Sequence, residues 1–265
     1  MSSPSQQQFP WRLFWALFLA AVFSALAIIP LAIDLFGPII SAQQQSAPRP
    51  LPFPLIIAIG VVQNLLLIAL MIFVGLKLGR RLGLGAPILA ALVEGKSLES
   101  SWRRSVVTGL LVGIVVGAVL LGLLLLLVPL LPNLPFVAAA KVAIWKRVLA
   151  CFYGGIYEEL LMRFFLLTLI AWAAGKVMRE RGNFLTSRAF WIANFMVAIL
   201  FGLGHLPSAA LVMPITPLVV GAALTLNGIA AIAFGLLYRK YGLESAMIAH
   251  FAADFALYVV GASLI

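Results

Sequence analysis

Charge is what this chain has least of. Only 10% of its 265 residues are Asp, Glu, Lys or Arg and 64% are hydrophobic, whereas an ordinary soluble domain is about a quarter charged. So few charges cannot cover the surface of a water-soluble fold of this size, which leaves a polytopic membrane protein. Cysteine is scarcer still. Cys151 stands alone, which excludes an intramolecular disulfide and a cysteine-rich metal site. There are two histidines and eight acidic residues, so any acid–base chemistry must be carried by very few side chains. No internal repeat of the kind that marks inverted-repeat transporters is present.

What the chain has is long apolar runs, with a mean hydropathy of +1.14. A bilayer core of about 30 Å takes roughly 20 apolar residues per helix. Seven stretches qualify: 13–33, 54–76, 105–131, 143–175, 189–206, 216–238 and 244–264. Residues 207–217, with Pro207, Pro214 and Pro217, are a candidate eighth, short or re-entrant piece. Leu13–Ile33 is too long for a signal-peptide core and lacks a clear cleavage site before Asp34, so it reads as a retained helix. The expected fold is therefore an all-α transmembrane bundle of seven to eight membrane helices. Residues 1–140 read as an N-terminal helical envelope of about three membrane helices with a cytoplasmic amphipathic segment, and 141–265 as the remaining core. The N-terminal SSPSQQQ and the Gln- and Pro-rich loop 41–52 read as irregular. Residues 86–104 read as a cytoplasmic amphipathic segment anchored by Trp102, Arg103 and Arg104. The Gly113–Gly117 spacing permits close helix approach and reads as ordinary packing before a dimer seam.

The net charge of +10 raises the question of nucleic acid, and the positions of the cations answer it. Arg12, Lys77, Arg80, Arg81, Lys96, Arg103, Arg104, Lys176, Arg179, Arg181, Arg188, Arg239 and Lys240 fall on one side of the alternating topology, against Arg49, Lys141, Lys146 and Arg147 on the other. The positive-inside rule puts the first side, with the N-terminus, in the cytoplasm. The basicity is topological, and no nucleic-acid partner is expected. A multi-pass protein of the bacterial inner membrane fits this pattern.

Setting aside acids in loops or at helix ends (Asp34, Glu94, Glu99, Glu180, Glu244) leaves Glu158, Glu159, Asp254, His205, His250 and Arg163 inside the membrane. Such residues are costly in hydrocarbon and by default mark function. Glu159 and Arg163 lie four apart on one helix face, so they can neutralise each other, while Glu158 is rotated by about 100° and left unpaired. A structural ion pair is the favoured reading of Glu159 and Arg163, a chemical role that of Glu158. Phe201 and His205 are again four apart in FGLGH; alone, such a histidine reads as an interfacial or packing residue. His250 and Asp254 share a face in HFAAD, which fits a structural hydrogen-bonded pair as well as a functional one. At about 1.5 Å per residue, Glu158 lies roughly 27 Å from Lys176 and His205 roughly 26 Å from Arg188, with His250 and Asp254 roughly 15 and 21 Å from Lys240. One shared site therefore requires tilt or bending to close a gap of one to two turns, and Gly154–Gly155, Gly202 and Gly204 are candidate kinks.

EELLMR, FGLGH and HFAAD, in this order and on separate helices, resemble the EExxxR, FxxxH and HxxxN/D motifs of the CAAX protease and bacteriocin-processing (CPBP, or Abi) family of intramembrane proteases. The resemblance covers roughly 143–264. It implies a CAAX prenyl endopeptidase-like hydrolase acting on a membrane-associated or lipidated peptide. Glu158 would activate water, His205 would help to hold it, and His250 and residue 254 would stabilise the oxyanion; Glu159, Arg163 and Phe201 would support them. A desolvated carboxylate suits a general base, and pre-positioned donors suit a developing oxyanion.

Position 254 departs from the commoner Asn. An ionised Asp254 cannot donate a hydrogen bond, so it would have to be protonated or serve to orient His250. Glu158, His205, His250 and Asp254 are also acceptable ligands for Zn(2+), although HExxH is absent. His250 cannot be donor and ligand through the same nitrogen, which favours a metal-free water. Two other classes compete: a non-catalytic membrane scaffold or bacteriocin-immunity partner, and a proton-coupled transporter working through paired carboxylates. The resemblance implies a cavity open to the cytosol, while the depth count places Glu158 and His205 in the outer half of the bilayer. The expectation is one water-filled cavity holding Glu158, His205, His250 and Asp254, laterally open to lipid.

Overall fold

A computed structural model describes residues 8–46, 53–131, 133–179 and 185–264; Arg49, Glu180, Arg181 and all of the SSPSQQQ segment but Gln8 lie outside them, as does the end of the 41–52 loop. The described residues are helical, without a strand. In chain order the helices are α1 (Trp11–Ala27), α2 (Ile29–Gln45), α3 (Phe53–Leu82), α4 (Pro87–Val93), α5 (Trp102–Leu127), α6 (Pro135–Ala140), α7 (Ile144–Val177), α8 (Ser187–Gly204), α9 (Leu206–Ala210), α10 (Pro217–Tyr241) and α11 (Leu243–Ser263). Six helices are long and apolar enough to cross a membrane, or up to seven if the bent α1–α2 pair is one span.

Three expectations are corrected. The run 13–33 is not one helix: α1 and α2 meet at 44°, because Pro30 has no amide proton and its ring displaces the preceding turn. α2 then continues through Asp34 to Gln45, so the first part of the 41–52 loop is helical; the Asp34 carboxylate takes Lys146 at 2.6 Å. Residues 86–104 are not a single amphipathic segment. α4 is seven residues long, its Leu89 amide donates to Glu244 Oε1 at 2.7 Å, and Trp102 already belongs to α5. The eighth piece is short, as expected: it is α9, five residues long.

One end of the bundle collects the cationic helix termini. Arg80 Nη1 donates to the Gln8 carbonyl at 3.2 Å, and the Leu243 amide donates to the Gly85 carbonyl at 2.9 Å. Arg239 reaches Ser187 Oγ at 3.0 Å and lies over the Phe190 ring. Arg147, counted by sequence among the cations of the opposite loops, is instead a buried residue of α7, 4% exposed.

α11 occupies the centre, packed against α5, α7 and α10. Its contact with α5 is made by glycines. A Cβ on Gly113 would fall on the Ala249 carbonyl and within 2.8 Å of Ala249 Cα and Ala252 Cβ, and one on Gly117 within 2.7 Å of Ala256 Cβ. The GxxxG spacing thus serves packing within the chain. Ser245 Oγ donates to the Ser105 carbonyl at 2.9 Å in the same seam. Lipid contributes no hydrophobic drive between helices, so backbone approach of this kind is what holds them. Gly113→Ala is expected to lower stability by about 1–3 kcal/mol, the usual range for overpacking. Gly122→Ala, whose Cβ meets nothing within 4 Å, is expected to leave it unchanged; thermal melting of the two detergent-purified variants compares them.

Candidate active site

The acidic pair sits where α7 leaves α-helical geometry. Tyr153–Glu158 and Leu160–Leu167 are π-helical, a wider turn that often marks functional sites. Gly154 and Gly155 admit α11. A Cβ on Gly154 would strike Asp254 Oδ2 and come within 2.9 Å of His250 Nε2, and one on Gly155 would lie 3.0 Å from the Met247 carbonyl and from Phe251 Cβ. Glu158 and His250 in fact face each other across the α7–α11 seam.

Glu159 organises the interior. It and Arg163 are both fully buried, and Glu159 Oε1 accepts from Arg163 Nη1 at 2.7 Å and from His250 Nδ1 at 2.6 Å. The guanidinium stands 5.4 Å from both the Phe201 and Phe234 ring centroids, within cation–π range, while its Nε and Nη2 find no hydrogen-bond partner among the described residues. The Arg163 carbonyl is taken by Thr168 Oγ1 at 3.1 Å, which also contacts the Tyr238 hydroxyl at 3.0 Å. α7 is thereby tied to α10.

Because a carboxylate only accepts, His250 Nδ1 carries the proton of the Glu159 bond, and Nε2 faces the remaining acids. It lies 3.6 Å from Glu158 Oε2 and 3.7 Å from Asp254 Oδ2, beyond hydrogen-bond length. The residue that orients His250 is therefore Glu159, not Asp254. Exposure separates the two glutamates: the Glu158 side chain is 19% exposed and the Asp254 side chain 16%, against 0% for Glu159.

His205 stands apart. Its Nδ1 donates to the Phe201 carbonyl at 2.7 Å, leaving Nε2 free of that bond. The Phe201 ring touches both imidazoles, edge-on at 4.8 Å to His205 and 5.9 Å to His250. Among the described residues, no hydrogen bond or ion pair joins His205 to Glu158, His250 or Asp254. Nor do three or more His, Cys, Asp or Glu side chains come together in an arrangement that would hold a metal ion. Glu158, His250 and Asp254 thus share one recess, and His205 adjoins it through Phe201. Phe234, Gly154 and Tyr258 also belong to these surroundings. Their signals in the sequence are an aromatic, a glycine and a tyrosine in apolar runs, which nothing there sets apart.

Buried acids and histidine are thereby matched to the motif order, and a family comparison decides what they resemble. Residues 139–256 match the Rce1-like family, described as type II CAAX prenyl endopeptidase Rce1-like. The matched segment runs from α6 into the π-helical end of α11 and contains Glu158, His205, His250 and Asp254. No curated protein and no solved structure gives a match. The Rce1-like segment includes the Glu159–Arg163 pair. Replacing Glu159 with Gln strands a buried guanidinium, a loss of roughly 3–5 kcal/mol. Glu159→Gln is therefore expected to depress the melting temperature sharply, and melting within experimental error of the parent would contradict the pair's structural weight.

Proposed function

We propose that this chain is an intramembrane endopeptidase that hydrolyses a peptide bond of a membrane-associated or lipidated substrate, of the CAAX-processing type, with water activated by Glu158. The observation that carries the reading is the division between adjacent carboxylates. Glu159 is wholly buried and committed to Arg163 and His250, whereas Glu158 keeps a partly accessible carboxylate facing His250 Nε2. A base must accept a proton and return it, which an acid locked in an ion pair cannot do. The match to a prenyl endopeptidase family supports the same chemistry.

In this reading Glu158 takes the proton of the attacking water, and His205, at the free end of α8, helps to hold that water. His250 Nε2 and residue 254 lie on the side where the carbonyl oxygen becomes an oxyanion. To donate there, His250 must carry a proton on both nitrogens, since Nδ1–H is already given to Glu159. Such a ring has no lone pair for a metal, so in this reading the water is metal-free. Residues 141–265 form the catalytic core and residues 1–140 its envelope, in a multi-pass protein of the bacterial inner membrane with a cytoplasmic N-terminus. The substrate reaches the recess from the lipid side.

The purified, reconstituted protein and a farnesylated CAAX-terminated peptide test this reading. The parent is expected to release the C-terminal fragment with or without chelator, while Glu158→Gln, which is nearly isosteric, abolishes release without changing the melting temperature. Full cleavage by Glu158→Gln refutes the assigned base. Activity lost to chelator and restored by zinc refutes the metal-free water.

A further inference from the structure

Asp254 leaves the oxyanion side short of a donor. An ionised carboxylate accepts only, and His250 has already given Nδ1–H to Glu159. The next residue along the same face, one turn beyond, is Tyr258. The helix register directs its ring toward this side. Side chains on a helix lean toward its N-terminus, so the Tyr258 ring projects back over the turn that carries Asp254. A turn is about 5.4 Å, within the reach of a tyrosine side chain.

Its backbone is also fixed from the facing helix. Arg147 Nη1 donates to the Tyr258 carbonyl at 2.9 Å, in the π-helical segment Phe255–Val260 that begins directly after Asp254. The Phe136 ring, 6.4 Å away and tilted at 56°, packs on the phenol. The phenol lies within electrostatic reach of Asp254, Glu158 and Cys151, and its hydroxyl hydrogen-bonds to no described residue. A partly buried O–H donor one turn from Asp254, with no hydrogen-bond partner among the described residues, is available to a bound molecule. Tyr258 lies just outside the segment that matches the Rce1-like family.

We propose that Tyr258 is a catalytic residue whose hydroxyl donates a hydrogen bond to the oxyanion, in place of the amide that Asp254 lacks. The inference rests on the proposed endopeptidase reading. Arg147 is the positioning residue that holds Tyr258 in register with Asp254.

The test is steady-state cleavage of the farnesylated CAAX-terminated peptide by the parent, Tyr258→Phe, Asp254→Asn/Tyr258→Phe and Glu158→Gln, with melting temperatures alongside. Tyr258→Phe removes one oxygen that bonds no described residue. It is expected to lower kcat by roughly 10²–10³-fold, the usual cost of one oxyanion donor, with KM and melting temperature unchanged. Adding Asp254→Asn restores a donor amide and is expected to recover at least tenfold of that loss. A role in packing alone would move the melting temperature and would not be rescued by an amide at 254. The proposal is overturned if Tyr258→Phe keeps kcat within twofold, or if the double variant is no better than Tyr258→Phe. Loss of cleavage in Glu158→Gln under the same conditions shows that such a result counts against the donor and not against the endopeptidase reading.

Discussion

One carboxylate oxygen carries the interior of this protein. Glu159 Oε1 accepts from Arg163 and from His250, and in a low-dielectric bundle each of those groups would be expensive without it. The consequences spread outward. The first bond fixes Arg163 between Phe201 of α8 and Phe234 of α10. The second fixes which nitrogen of His250 is protonated and turns the other toward Glu158 and Asp254. A residue that performs no chemistry in the proposed mechanism thus determines the orientation of those that do.

The bond exists only because α7 and α11 come unusually close. Gly154 and Gly155 leave no side chain in the seam, and the glycines of α5 press α11 from the opposite side. π-helical turns on both α7 and α11 free carbonyls that side chains then occupy, Thr168 at Arg163 and Arg147 at Tyr258. These devices set the spacing at which a carboxylate and an imidazole face each other across the α7–α11 seam.

Much of this was legible in the sequence, and for physical reasons. Apolar run length reports membrane helices directly, and the scarcity of intramembrane charge isolated Glu158, Glu159, Arg163, His205, His250 and Asp254 without any structure. The i,i+4 spacing gave the Glu159–Arg163 pair. Run length could not show that Pro30 breaks the first helix, since hydropathy is blind to backbone direction. It could not show the π-helical turns either. Arg147 was misread because its position near a helix end fits a loop cation; only tertiary packing buries it. The assignment of His250 to Glu159 rather than to Asp254 was hidden for a similar reason: spacing along one helix reveals neighbours on that helix, and the decisive partner came from another.

The division between the two glutamates can be measured without any substrate. The chain has only two histidines, so selective ¹⁵N-histidine labelling gives an NMR spectrum with few ring signals to assign. The account requires a ring Nδ1–H of His250 in a short hydrogen bond to a carboxylate, seen as a strongly downfield proton that survives Glu158→Gln and disappears in Glu159→Gln. A downfield proton lost in Glu158→Gln and kept in Glu159→Gln would reverse the roles of the pair and contradict the account.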